Sequence, residues 1–155
     1  MAASNELLKY SLENTNARAF YYYPLQGLMV APESTCAYYH CKKRYEDMPH
    51  SFMQEFIAAE YQAAFGQMFQ QIKDGQKTAT CEAMLKDKGI WCRFVLSTVP
   101  REREQAPWVV VGIAEDISKE KNIELENIQL QAIYDFIVNH DYDYLDVYKR
   151  QTNTN

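Results

Sequence analysis

The stretch that decides the fold is Trp108-Val109-Val110-Val111-Gly112-Ile113-Ala114-Glu115-Asp116-Ile117-Ser118-Lys119-Glu120-Lys121. Its first six residues are apolar on both faces and rich in β-branched side chains. A run that short and that apolar reads as a strand inside a sheet rather than at its edge. Glu115-Asp116-Ile117-Ser118 then changes the character at once. The side-chain oxygen of either Asp116 or Ser118 is suited to accept from the free N–H groups of a first helical turn. A charged, helix-prone segment follows over residues 119–131. A buried strand therefore runs directly into a long, projecting helix, so that a movement of the sheet is deliverable along a stiff rod.

Working outward, the segment before this strand is β. Residues 76–85 and 90–99 read as two strands joined by the turn Lys86-Asp87-Lys88-Gly89. In the second of them Trp91, Arg93, Val95 and Ser97 face one way, and Cys92, Phe94, Leu96 and Thr98 the other. Residues 100–107, PREREQAP, form a charged, exposed loop. Upstream lies the best helix in the chain, residues 59–73, where Tyr61, Phe65, Met68 and Ile72 fall on one face. Asp74-Gly75 ends it. Residues 32–58 are irregular, with short helical pieces at 33–40 and after Pro49. At the front, residues 18–23 and 28–31 form a hairpin around Pro24-Leu25-Gln26-Gly27, with Phe20 and Tyr22 on one face and Tyr21 and Tyr23 on the other. A short helix capped by Ser4 runs to about Leu12, and Asn14-Thr15-Asn16 breaks it. Strands on both sides of one helical block indicate an antiparallel sheet with helices on one side.

Composition narrows the function. The chain has 155 residues, enough for one domain with an extension, and 47% of them are hydrophobic. The net charge of -5 gives no electrostatic case for nucleic acid. No apolar run approaches a membrane span, and the N-terminus lacks the pattern of a secretory signal. Four cysteines are no disulfide scaffold at this length, so a reducing, cytoplasmic setting is expected. The parent of such a chain would carry any membrane anchor elsewhere.

No phosphate-binding glycine loop, His-Glu-x-x-His or Gly-x-Ser-x-Gly occurs, and no catalytic residue is expected. Cys36, His40, Cys41 and His50 match no standard zinc spacing, so no metal is expected. Cys81 and Cys92 fall on neighbouring strands, where pairing is a question of geometry.

The order of elements, with the residues at their joints, resembles a PAS domain over roughly residues 6–121. The resemblance is carried by Glu13-Asn14-Thr15-Asn16, the aromatic strand after it, Met48-Pro49-His50-Ser51-Phe52, and Lys73-Asp74-Gly75. It continues through Lys86-Asp87-Lys88-Gly89 with Trp91, and Val111-Gly112-Ile113 leading into Glu115-Asp116-Ile117-Ser118. The last element is similar to the Asp-Ile-Thr signature that closes many PAS domains, with serine in place of threonine. The resemblance implies an α+β fold. Its five-stranded antiparallel sheet has the order 2-1-5-4-3, helices on one face, and a C-terminal signalling helix.

The same resemblance implies a sensory or relay module that controls a separate output domain of its parent chain, a diguanylate cyclase or a histidine kinase, through the exit helix. Glu115, Asp116, Ile117 and Ser118 would be the relay joint. The alternative is a ligand-free dimerisation or scaffolding module. Flavin and haem are not expected. Cys92-Arg93-Phe94 lies in a late strand, not after the short helices where the flavin class has its cysteine, and the 59–73 helix carries no histidine. An unidentified small ligand would sit among Phe20, Tyr22, Phe65, Met68, Phe69 and Phe94, which serve equally as plain core.

Beyond the domain at 1–117, residues 118–140 read as the exit helix. Leu130, Ile133 or Tyr134, and Ile137 form one stripe, and Leu125, Ile128 and Ala132 a second, both suited to a homodimer. Residues 141–147, DYDYLDV, read as the first strand of a following domain, and residues 148–155 as an end.

Overall fold

In the computed structural model, the described residues are 16–153, with side chains described through Asn139. The helix expected from Ser4 lies outside them. The elements run β1 (Ala17–Tyr23), β2 (Leu28–Val30), α1 (Glu33–Tyr39), β3 (Arg44–Tyr45), α2 (His50–Phe56), a 3-10 turn (Ala59–Tyr61) and α3 (Gln62–Lys73). They close with β4 (Thr78–Met84), β5 (Trp91–Thr98), β6 (Val110–Asp116) and α4 (Ser118–Asn153). The chain divides into two units, residues 1–118 and 119–155.

The sheet is antiparallel throughout, in the order β3-β2-β1-β6-β5-β4. The α+β class is as the sequence implied, but the strand count is six rather than five. The addition is β3, whose two residues pair with Met29 and Val30 at the sheet edge. Two residues are too few to show an alternation. With β3 set aside, the remaining strands keep the implied order.

The last strand of the sheet lies in its middle, as the apolar run suggested, yet it starts later and ends later than that run. Trp108 and Val109 precede it, and Glu115 and Asp116 belong to it. Glu115 lies opposite Arg93 in the register, and Arg93 also reaches Glu82 on the next strand, so the charged end of β6 is held in the sheet by its neighbours. The alternation in β5 is as expected: Cys92, Phe94 and Leu96 are buried, and Trp91, Arg93 and Val95 are half-buried.

The core lies between the inner face of the sheet and α1, α2 and α3. From α3 it takes Phe65, Met68, Phe69 and Ile72, each fully buried. Burial of such a side chain contributes about 1.5–3 kcal/mol. Tyr61, expected on the same face, sits in the 3-10 turn instead, with its ring 5.2 Å from that of Trp91. Gly75, just past α3, has φ +106, which glycine adopts without steric cost.

Residues 141–147, expected as a strand, are helical within α4. A helix satisfies their backbone N–H and C=O groups within itself. Among the described residues no helix is long and apolar enough to cross a membrane.

Candidate functional site

Two places concentrate the expected functional residues. The first is the space between sheet and helices. Phe20 and Tyr22 come from β1, Phe65, Met68 and Phe69 from α3, and Phe94 from β5, all buried. Phe20, Phe65 and Phe94 line an internal cavity with Phe52, Phe56 and Tyr39, whereas Tyr22, Met68 and Phe69 do not reach it. The rings fill most of the space themselves. Phe65 meets Phe94 edge-on at 5.1 Å between centroids, and Phe52 stacks on Phe56 at 4.9 Å. What remains is a cavity of about 20 Å³, room for roughly one water molecule. A drug-sized or cofactor-sized ligand occupies some 300–1,000 Å³. Flavin or haem would therefore require these aromatics to move aside.

The second place is the end of β6. Asp116 is half-buried there, and its two carboxylate oxygens go to different elements. The Tyr38 hydroxyl of α1 donates to Oδ2 at 3.0 Å. The backbone N–H of Ser118, the first residue of α4, donates to Oδ1 at 3.0 Å. Of the two cap candidates, Asp116 is thus the one that accepts a first-turn N–H. The Ser118 hydroxyl turns the other way and accepts from the backbone N–H of Trp91 at 3.0 Å. The Ile117 N–H donates to the Trp91 carbonyl at 2.9 Å, and the Ile117 side chain is buried. Glu115, the remaining expected joint residue, points to the other face and pairs with Arg93.

Four residues that the sequence does not mark as functional, Arg18, Tyr38, Tyr39 and Lys88, complete this cluster. The Tyr38 ring lies under the Arg18 guanidinium, 4.6 Å from the ring centroid. Burial and the adjacent Asp116 carboxylate raise the Tyr38 pKa above the usual phenol value. The Tyr39 hydroxyl donates to the Ala114 carbonyl at 3.1 Å and touches the Cys92 sulfur at 3.7 Å. Burial, with Cys92 beside it, raises its pKa strongly. Lys88 donates from Nζ to the Tyr39 carbonyl at the end of α1, and its ammonium lies 4.4 Å from the Phe56 ring centroid. The lysine that lengthens the β4–β5 turn thus holds α1 and α2 together. A run of three tyrosines and a Tyr38-Tyr39 pair offer no local signal for this. Tyr38 and Asp116 are 78 residues apart, and only the fold brings them together.

Among the described residues no group of three or more His, Cys, Asp or Glu side chains is placed to hold a metal ion. Cys81 pairs with Phe94 and Cys92 with Ala83, so the two thiols are diagonal across the strands. A diagonal pair stands roughly 7–8 Å apart, beyond disulfide reach.

No known family model matches the chain, and no curated protein does. Solved structures do match. A sensory box histidine kinase/response regulator from Burkholderia thailandensis E264 aligns over 82% of this chain and 95% of its own, at 12% identity and a TM-score of 0.60. A domain assigned to a light and redox sensing histidine kinase from Haloarcula marismortui aligns over 72% of this chain and 98% of its own, at 18% identity and a TM-score of 0.51. An RNA-binding light-oxygen-voltage receptor aligns over 80% of this chain but only 34% of its own, at 11% identity and a TM-score of 0.54. At these identities the likeness is one of fold, and the chain has the PAS-type fold of these sensory proteins.

Proposed function

We propose that the chain is a non-catalytic sensory and signal-relay module of the PAS type, acting on a separate output domain through α4. The observation that carries this reading is the divided carboxylate of Asp116. One oxygen is held by the helix that covers the core, the other by the first N–H of the exit helix. A shift of α1 over the core would change the first of these bonds and, through the same side chain, the second. A stimulus would act by favouring one packing of α1 on the sheet, and only to the extent that it binds that packing better than the other.

The output domain in this reading is a histidine kinase or a cyclic-di-GMP synthase, and α4 is the homodimer contact. Ile123, Ile128, Leu130, Ile133 and Ile137 of α4 are half-exposed or more, which suits pairing with a second copy. A chimera whose α4 continues into a histidine kinase core tests the reading. Asp116→Ala should change autophosphorylation while leaving the circular dichroism spectrum intact. Unchanged autophosphorylation would remove the relay and favour scaffolding. Native mass spectrometry tests the dimer separately. A monomer at micromolar concentration would contradict the α4 contact.

A further inference from the structure

The C-terminal end of α1 holds an arrangement that the relay does not use. The helix closes with His40 in the left-handed conformation, φ 54, and its N–H returns to the Cys36 carbonyl. The N–H of Cys41 returns to the same carbonyl at 3.3 Å. The second is the six-to-one bond of a Schellman-type cap and the first the five-to-one bond of a left-handed cap, and together they fold the sixth residue back over the first. The backbone fold-back sets Cys41 beside Cys36, the two positions of such a cap whose side chains commonly meet. Cys36 Sγ also faces the Ala31 carbonyl at 3.5 Å and Cys41 Sγ the Thr35 carbonyl at 3.9 Å. Both cysteines are free and only partly buried, unlike Cys81 and Cys92 in the core.

We propose that Cys36 and Cys41 form a redox-active dithiol, closed to an intramolecular disulfide by thiol exchange with an alkyl disulfide. The cap supplies what the bond requires: two cysteines held side by side by the Cys41 N–H to Cys36 carbonyl bond, so that side-chain rotation rather than a large backbone rearrangement closes the pair. The thiolate of Cys36 attacks one sulfur of the oxidant, whose S–S bond breaks and releases one alkyl thiolate, which takes up a proton. Cys41 gives its proton to water and attacks the Cys36 sulfur, expelling the second alkyl thiolate, which is protonated in turn. The protein loses two electrons and two protons, and the oxidant is reduced to two thiols.

The order of attack follows from the surroundings. Burial, with Cys36 beside it, pushes the Cys41 thiol up to about 12, while the Lys88 ammonium acts in the opposite direction. Cys41 is therefore the resolving thiol, and Lys88 supports its thiolate in the second step. In a reducing compartment such a pair is open by default and closes only when the poise shifts. Closure fixes the end of α1 two residues from Tyr38, the partner of Asp116. An effect on α4 through that contact rests on the relay reading, whereas formation of the disulfide does not.

The test is equilibration of the folded chain with mixtures of oxidised and reduced dithiothreitol, followed by alkylation and tryptic mapping. No lysine or arginine lies between Arg18 and Lys42, so both cysteines fall in one peptide, residues 19–42. That peptide should lose two hydrogens, at a lower oxidised-to-reduced ratio in the folded chain than in urea. Cys36→Ser and Cys41→Ser should each abolish the loss while the fold persists. No loss in fully oxidising buffer, or an equal ratio in the folded and unfolded chains, would overturn the proposal. Amide exchange at Ser118 in the oxidised chain reads the relay separately. Unchanged exchange with the disulfide formed would count against the relay alone.

Discussion

The far end of the Phe20 ring occupies the space where Gly112 would carry a side chain. The two residues face each other across β1 and β6, and a Cβ added at Gly112 would stand 2.1 Å from Phe20 Cζ. The glycine in the middle of the sheet is thus a slot for an aromatic ring that lines the cavity. Gly112→Ala should destabilise the domain by about 1–3 kcal/mol through overpacking. Phe20→Leu in the same chain should recover part of that loss, giving a non-additive pair in urea unfolding. Strict additivity of the two changes would contradict the packing described.

Tyr22 makes a second, opposite prediction. Its side chain is fully buried against the Phe69 ring, and its hydroxyl has no hydrogen-bond partner among the described residues. An unsatisfied buried hydroxyl costs about 1–3 kcal/mol. Tyr22→Phe should therefore leave stability unchanged or raise it. A loss above about 1 kcal/mol in denaturant melts would mean the hydroxyl is satisfied.

Alkaline pH should weaken the fold. Burial pushes the Cys92 thiol up to about 12 from its ordinary value of 9.0, and it raises Cys81 and Tyr39 in the same direction. These groups keep their protons in the folded chain at a pH where the unfolded chain loses them. Their contribution is full below the unfolded value and is lost as pH rises from about 9 through the folded value near 12. The slope for one such thiol is on the order of 1 kcal/mol per pH unit. Urea melts from pH 8 upward should show the decline, and Cys92→Ala should make it shallower whatever that variant costs at neutral pH. A slope unchanged in Cys92→Ala would contradict the assignment.

What the sequence made legible was what repeats locally. The step from Phe65 to Met68 to Ile72 placed α3, and the alternation from Trp91 to Thr98 gave both faces of β5 correctly. Boundaries were less legible. Val109 looks like strand but comes before it, while Glu115 and Asp116 look like loop and are held in β6 by Arg93 and by the Asn16 carbonyl. At the candidate joint, Asp116 was legible because a cap is a local motif, whereas the hydroxyl of Ser118, the other cap candidate, accepts from Trp91 instead. Tyr38, Tyr39 and the Trp91 backbone were not legible, because their bonds to the joint form only across the assembled sheet. The tyrosine and aspartate alternation at 141–147 was misleading, since a run that short does not separate strand from helix by period alone.

The central claim is that Asp116 connects α1 to the first turn of α4. Tyr38→Phe removes one hydroxyl from α1 and touches neither Ser118 nor any residue after it. The most direct test is amide hydrogen exchange at Ser118 in the wild type, Tyr38→Phe, Asp116→Asn and the double variant. The account predicts that Tyr38→Phe alone speeds exchange at Ser118, and that adding it to Asp116→Asn has no further effect. Exchange at Ser118 that is unaltered by Tyr38→Phe would contradict it.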